Sequence, residues 1–147
     1  LAHKKFIYFF FLFNCILLFI TFNHPIGDFG NYYYGSKFFL QGIDPLKFYQ
    51  DTHFFNSEIR QYQHGVFFEN YGPVPPFSLL FYVPLTFLPI SIAKLLFSIV
   101  SLVVFCFSLD RLIRQTQFFC LWFYLLPIIF LQPLFSNFHQ GQTYLLI

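Results

Sequence analysis

Charge is what this chain has least of: Asp, Glu, Lys and Arg make up 10% of 147 residues, against roughly 25% in an ordinary globular domain. A soluble chain of this size covers most of its surface with polar atoms, and that supply is missing here. The shortage excludes a cytosolic single-domain enzyme and a disordered segment. Net charge is only +2, so no basic face exists to neutralise the phosphates of a duplex, and no nucleic-acid partner is expected. Cysteine is nearly as scarce. Cys15, Cys106 and Cys120 all lie in apolar stretches, without a His or second Cys at ligand spacing. They read as packing thiols, with no disulfide framework and no zinc site. Methionine is absent; the chain opens at Leu1 and stops at Ile147 inside an apolar run begun at Thr143. We read it as the N-terminal piece of a longer protein.

Apolar and aromatic residues fill the space. The hydrophobic fraction is 57%, aromatics are 26%, and Phe alone occurs 27 times. That composition is expected of a multi-pass, all-α membrane protein. Phe6 to Phe22 is apolar except for Asn14 and Thr21, and His3-Lys4-Lys5 precede it. No small-x-small cleavage site follows it, so an uncleaved first span with a cytoplasmic N-terminus is expected rather than a signal peptide.

Asn23 to Pro76 differs in kind. It carries Asp28, Lys37, Asp44, Lys47, Asp51, Glu58, Arg60 and Glu69, with most of the tyrosines. Irregular backbone loses hydrogen bonds in hydrocarbon, so this segment is expected outside the bilayer core. Within it, Phe29 to Gln41 reads as an aromatic, mildly polar helix stopped by Gly42. Thr52 to His64 reads as a second helix, capped by Asp51 or Thr52 and ended by Gly65. Tyr-rich helices of this kind suit the membrane interface.

Pro84 and Pro89 break Phe77 to Ile90, which is expected to lie at the interface or to be re-entrant, with Pro75-Pro76 starting its helix. Ser91 to Leu109 is the second span. Asp110 to Gln117 reads as a polar connection, Phe118 to Phe135 as a third span, and Ser136 to Gln142 as a polar turn. Another span starts at Thr143. With the middle segment not crossing, Lys4-Lys5 and Arg111 with Arg114 are all cytoplasmic, as the positive-inside rule asks. Asn23 to Pro76 and Ser136 to Gln142 are then both extracytoplasmic.

Asp28 is the most informative residue. It follows the first span by about two turns of helix, and an ionisable group at a membrane boundary is a functional candidate. The plainer readings are an ordinary interfacial carboxylate or a cap for the helix that starts at Phe29. Asp28-Phe29-Gly30 also spells the kinase magnesium tripeptide, but no His-Arg-Asp loop or Gly-rich loop accompanies it.

The segments together resemble a known pattern. After Asp28 come Tyr32-Tyr33-Tyr34, then Phe38-Phe39-Leu40-Gln41-Gly42-Ile43-Asp44-Pro45. Tyr71-Gly72-Pro73-Val74-Pro75-Pro76-Phe77-Ser78-Leu79-Leu80 follows, then Pro84-Leu85, Leu88-Pro89 and Asn137-Phe138-His139-Gln140-Gly141-Gln142. From about Asn23 onward the chain resembles glycosyltransferase family 87, once catalogued as domain of unknown function 2029, within the GT-C superfamily. Two positions depart from the pattern: Leu46 stands where an aromatic usually follows Asp-Pro, and Tyr144 where an Asn often follows Gly-Gln.

The resemblance implies a mannosyltransferase-like enzyme. It would move a hexose from a polyprenyl-phosphate donor to a lipid or glycan acceptor of the cell envelope. The protein would be a multi-pass inner-membrane enzyme whose active site faces the extracytoplasmic side, needing no cofactor that the sequence identifies. Asp28 would be the catalytic carboxylate that takes the proton from the attacking hydroxyl. The departing phosphate needs cations or donors, for which Lys37, Arg60 and Lys94 are the candidates. Each has an ordinary alternative: solvation, pairing with Glu58 or Asp51, or snorkelling. Tyr71 is a candidate platform for a sugar ring or an interfacial anchor. His139, Gln140 and Gln142 form a donor-rich turn suited to sugar hydroxyls or to capping a helix end. The remaining histidines are scattered, without the spacing of a helical zinc pair. A transporter piece or a non-catalytic membrane subunit are the rival readings. Transporters place polar groups at the bilayer midplane, whereas here Asn14 and Gln132 are the notable polar residues within the spans.

Overall fold

The computed structural model describes residues 2–21, 26–62, 72, 74–116 and 124–141. Among these, helices and one 3-10 segment are the regular elements: α1 (Ala2–Thr21), α2 (Phe29–Leu40), α3 (Pro45–Gln50), α4 (Thr52–Arg60), α5 (Pro76–Tyr82), the 3-10 segment (Val83–Phe87), α6 (Ile90–Thr116), α7 (Leu126–Ile129) and α8 (Leu131–Gln140). They form two compact units, one of Leu1–His24 with Leu95–Ile147 and one of Pro25–Lys94.

The first unit holds most of the two helices long and apolar enough to cross a membrane, over Lys4–Thr21 and Ile90–Gln115. At 1.5 Å per residue, α1 rises about 30 Å and α6 about 40 Å, a full hydrocarbon thickness or more. Phe6, Phe10, Leu17 and Leu18 of α1 pack with Leu102, Cys106 and Ile113 of α6 and Leu134 and Phe138 of α8. The remaining faces are equally apolar and bare: Phe19 is 82% exposed, with Tyr8, Leu12, Val103 and Phe107 also outward. A soluble core helix hides such residues; these face lipid. Polar side chains inside the helices turn back on their own backbone, which lowers the cost of polar groups in hydrocarbon, while Asn14 Oδ1 stays buried with no hydrogen-bond partner. Asn14 Nδ2 donates to the Phe10 carbonyl at 2.8 Å, Thr21 Oγ1 to that of Leu17 at 2.9 Å, and Ser101 Oγ to that of Phe97 at 2.8 Å. Lys4, Ile7 and Tyr8 line one cleft with Cys106, Phe107, Asp110 and Arg114. The start of α1 and the end of α6 therefore share one end of the unit, and the two helices run antiparallel.

Three boundaries differ from those the sequence suggests. Asp110 to Thr116 is the last two turns of α6 rather than a connection. Arg114 Nε meets Asp110 Oδ2 at 2.7 Å, an i, i+4 pair that supports continued helix. The helix α8 continues through Ser136 to Gln140, and the turn begins only at Gly141, whose φ of 66° is the left-handed C-cap conformation. Between Tyr124 and Phe135 the chain is two helical pieces broken at Phe130. The six residues 118–123 of the expected third span lie outside the described residues, as does Thr143.

The second unit is built on α2. Its termination is a Schellman motif: Gly42 N donates to the Phe39 carbonyl and Ile43 N to that of Phe38, both at 3.1 Å, with Gly42 at φ 77°. Asp44 and Pro45 then start α3, the Asp44 carboxylate accepting from Leu46 N at 2.9 Å. Asp51 caps α4 by accepting from His53 N and Phe54 N at 2.9 and 3.1 Å. The helix α4 stops at Arg60, short of His64, and Tyr62 instead reaches α2 to accept from Gln41 Nε2 at 2.9 Å. On the other side α2 is pinned to the proline-broken segment. Ser36 Oγ donates to the Leu79 carbonyl and Tyr33 Oη to that of Leu88, both at 2.8 Å. Pro76 occupies the first turn of α5, as expected. Leu88 is extended, as a residue before proline prefers, and so separates the 3-10 segment from α6.

Candidate functional site

The first turn of α2 gathers the groups suited to sugar chemistry. Gly27, at φ 60°, turns the chain into the helix. Its carbonyl accepts from Gly30 N, and the Asp28 carbonyl from Asn31 N, both at 3.0 Å. Asp28 is the N-cap residue, yet its side chain makes no capping hydrogen bond. Its φ of −63° and ψ of −20° are already helical, whereas a capping side chain folds back from extended backbone. The plainer reading of Asp28 as a cap is thus not the arrangement adopted. The half-buried carboxylate remains at the positive end of the helix dipole, where negative charge is favoured.

Residues three and four positions on share its face. Asn31 Oδ1 accepts from the backbone N–H of Gly72 at 2.9 Å. This bond brings Gly72 to the start of α2 across 41 residues. The Tyr32 ring stacks on Tyr82 of α5 at 4.6 Å and 18°, and Phe29 meets Tyr82 edge-on at 6.1 Å. Burial pushes the Tyr82 hydroxyl well above its ordinary range, and the neighbouring Tyr32 adds to this. Burial also raises Tyr33. Both phenols stay neutral and can donate at any physiological pH. Carboxylate, amide and aromatic faces thus occur within about one helical turn.

The other expected site residues are placed as follows. Lys37 lies nine residues along α2, about 13 Å of rise from Asp28. Its Nζ sits 4.2 Å over the Tyr62 ring, a cation–π contact. Arg60 ends α4 two residues before Tyr62, and so belongs with Lys37 at the far end of α2. Lys94, in the second turn of α6, is only 7% exposed. His139 and Gln140 lie in the last turn of α8 within the first unit, and the His139 ring stacks on Phe135 at 5.8 Å. Tyr71 and Gln142 lie outside the described residues. Among the described residues no group of three His, Cys, Asp or Glu side chains converges for a metal.

Asn31, Tyr32 and Tyr82 were not legible as site residues from composition or motif. The signal that finds the first two is their spacing from Asp28 on a helix; Tyr82 requires the packing of α5 against α2.

Long lipid-facing helices and an aromatic unit with a carboxylate at a helix start define a helical membrane protein with a candidate sugar site. Residues 74–147 match glycosyltransferase family 87, and the chain belongs to that family of membrane-embedded GT-C-type glycosyltransferases. No curated protein and no solved structure matches the chain.

Proposed function

We propose that the protein transfers a mannose-like hexose from a polyprenyl-phosphate donor to a lipid or glycan acceptor at the extracytoplasmic membrane face, with Asp28 as the general base. The observation that carries this reading is the Asp28 carboxylate, which stands at the start of α2 without serving as its cap. In the reaction, the acceptor oxygen forms a bond to the anomeric carbon while the bond from that carbon to the phosphate oxygen breaks. The hydroxyl proton passes to Asp28, and polyprenyl phosphate leaves with the electron pair. Because the phosphate stays attached to lipid, the reaction must occur at headgroup depth, and Asp28 follows the end of α1 by only seven positions in sequence.

Asn31 supports this by fixing Gly72 at the start of α2, and we assign Tyr71, its neighbour in sequence, to the sugar ring as a stacking platform. Lys37, Arg60 and Lys94 are assigned to the departing phosphate; Lys94 is buried at the start of α6 and Lys37 lies over the Tyr62 ring. His139, Gln140 and Gln142 are assigned to sugar hydroxyls. The interfacial position of α2 to α5, in a long first extracytoplasmic loop, follows from their aromatic, partly polar faces.

The test is transfer from a polyprenyl-phosphate sugar by the purified protein, wild type beside Asp28→Asn. Loss of a general base lowers turnover about 100-fold or more with donor binding retained. Asn keeps the shape of the side chain, and the melting temperature of each variant checks folding separately. Near-normal turnover in Asp28→Asn removes Asp28 from the mechanism.

A further inference from the structure

The cleft between the start of α1 and the end of α6 has a composition that sugar transfer does not call for. It is open, with a volume of about 280 Å³, and is lined by Lys4, Ile7, Tyr8, Cys106, Phe107, Asp110 and Arg114. Lys5 adjoins Lys4 in sequence, and the Arg111 guanidinium lies 5.7 Å from the centre of the Phe107 ring. Lys4 and Arg114 line the cleft with one acid, Asp110, and Lys5 and Arg111 follow Lys4 and Asp110 in the chain. The Arg114–Asp110 pair is made through Nε, and a guanidinium has further N–H donors on its terminal nitrogens. Below this charged rim the wall is apolar. Tyr8 and Phe107 are 73% and 64% exposed, at the ends of helices that cross the bilayer.

We propose that this cleft binds the phosphate headgroup of an anionic phospholipid. Lys4 and Arg114 hold the phosphate, and the acyl chains lie in the bilayer along Tyr8 and Phe107. Three features fit this occupant. The charge is complementary to a phosphodiester. The cations stand at the ends of two spans, at headgroup depth, where basic pockets between helices take acidic lipids. The cleft has room for a headgroup while staying open to the bilayer. The lipid would bridge the start of α1 to the end of α6, and none of the residues lining this cleft is among those assigned to sugar transfer.

The experiment is native mass spectrometry of the purified protein titrated with dioleoyl phosphatidylglycerol or dioleoyl phosphatidylcholine. Lys4→Gln is compared with Lys47→Gln, which removes the same charge from exposed α3. Wild type should retain phosphatidylglycerol about fivefold or more over phosphatidylcholine, and Lys4→Gln should lose about fivefold of that preference. Lys47→Gln should keep it. Excess inorganic phosphate should leave the bound lipid in place. Equal retention of both lipids by wild type overturns the proposal, as does an unchanged preference in Lys4→Gln. An equal loss in Lys47→Gln shows only bulk charge, and displacement by inorganic phosphate shows a free-phosphate site; either overturns it too.

Discussion

A single hydrogen atom decides how closely α2 approaches α5. A methyl group on Gly35 would fall 2.8 Å from Leu79 Cδ2, well inside contact distance. Leu79 is itself buried, and its carbonyl accepts from Ser36 on the adjoining position of α2. The leucine therefore has little room to turn away. Gly35→Ala should destabilise the protein by about 1–3 kcal/mol through overpacking, despite the better helix propensity of alanine. Leu79→Ala should cost about 2–5 kcal/mol by opening a cavity. If the clash is the cause, the two costs are not additive. The double variant should fall short of their sum by about 1 kcal/mol, measured as a double-mutant cycle on unfolding in detergent. Strict additivity would mean that Gly35 is there for another reason. Gly42 is glycine for a different cause: nothing lies within 4 Å of a methyl group there, but its φ is 77°.

Elements were legible where a local signal set them and obscure where a distant contact did. Gly42 ending α2, Asp51 starting α4 and the proline pair starting α5 are all local chemistry. The stop of α4 at Arg60 is not, because Tyr62 leaves the helical path for Lys37, Gln41 and Phe38 on α2. The charged end of α6 has the polarity of a loop but the spacing of a helix, with Asp110 and Arg114 one turn apart. The site followed the same division. Asp28 was visible as the first acid after an apolar run, while the Asn31–Gly72 bond and the Tyr32–Tyr82 stack exist only once α2 has folded. The cap of α4 gives an element-scale prediction. Asp51 holds two of its first amides, so Asp51→Ala should cost about 1 kcal/mol locally. Backbone hydrogen exchange at His53 and Phe54 should then quicken about fivefold. Asp51→Asn should preserve most of the protection. Equal acceleration in both variants would mean that charge at the helix dipole matters more than the bond.

For the whole molecule, the antiparallel pairing of α1 with α6 constrains how the chain crosses the membrane. Lys4 and Arg114 line one cleft, so the outward crossing of α1 is reversed by α6. Everything between the two helices must then begin and end on one side, which agrees with a middle segment broken into α5 and a 3-10 piece. Lys4, Lys5, Arg111 and Arg114 collect at the other end, which the positive-inside rule predicts to be cytoplasmic. Tyr124 packs on Phe6 and Phe9, at 5.5 and 5.6 Å, near the same end of α1. The seventeen residues from Tyr124 to Gln140 rise about 25 Å if helical throughout, nearly a hydrocarbon thickness, so the end of α8 can reach the opposite face. The expected topology therefore has 23–89 and 136–142 outside and the end of α6 inside. Single cysteines at Ser57, Gln115 and Ser136, all exposed positions, test it in a background with Cys15, Cys106 and Cys120 replaced by alanine. A membrane-impermeant maleimide applied to intact cells should label Ser57→Cys and Ser136→Cys. It should label Gln115→Cys only after the membrane is opened. Labelling of Gln115→Cys in intact cells, with Ser57→Cys protected, would invert the whole arrangement and carry Asp28 to the cytoplasmic face. Labelling of Ser57→Cys alone would keep Asp28 outside but detach His139 and Gln140 from the sugar site.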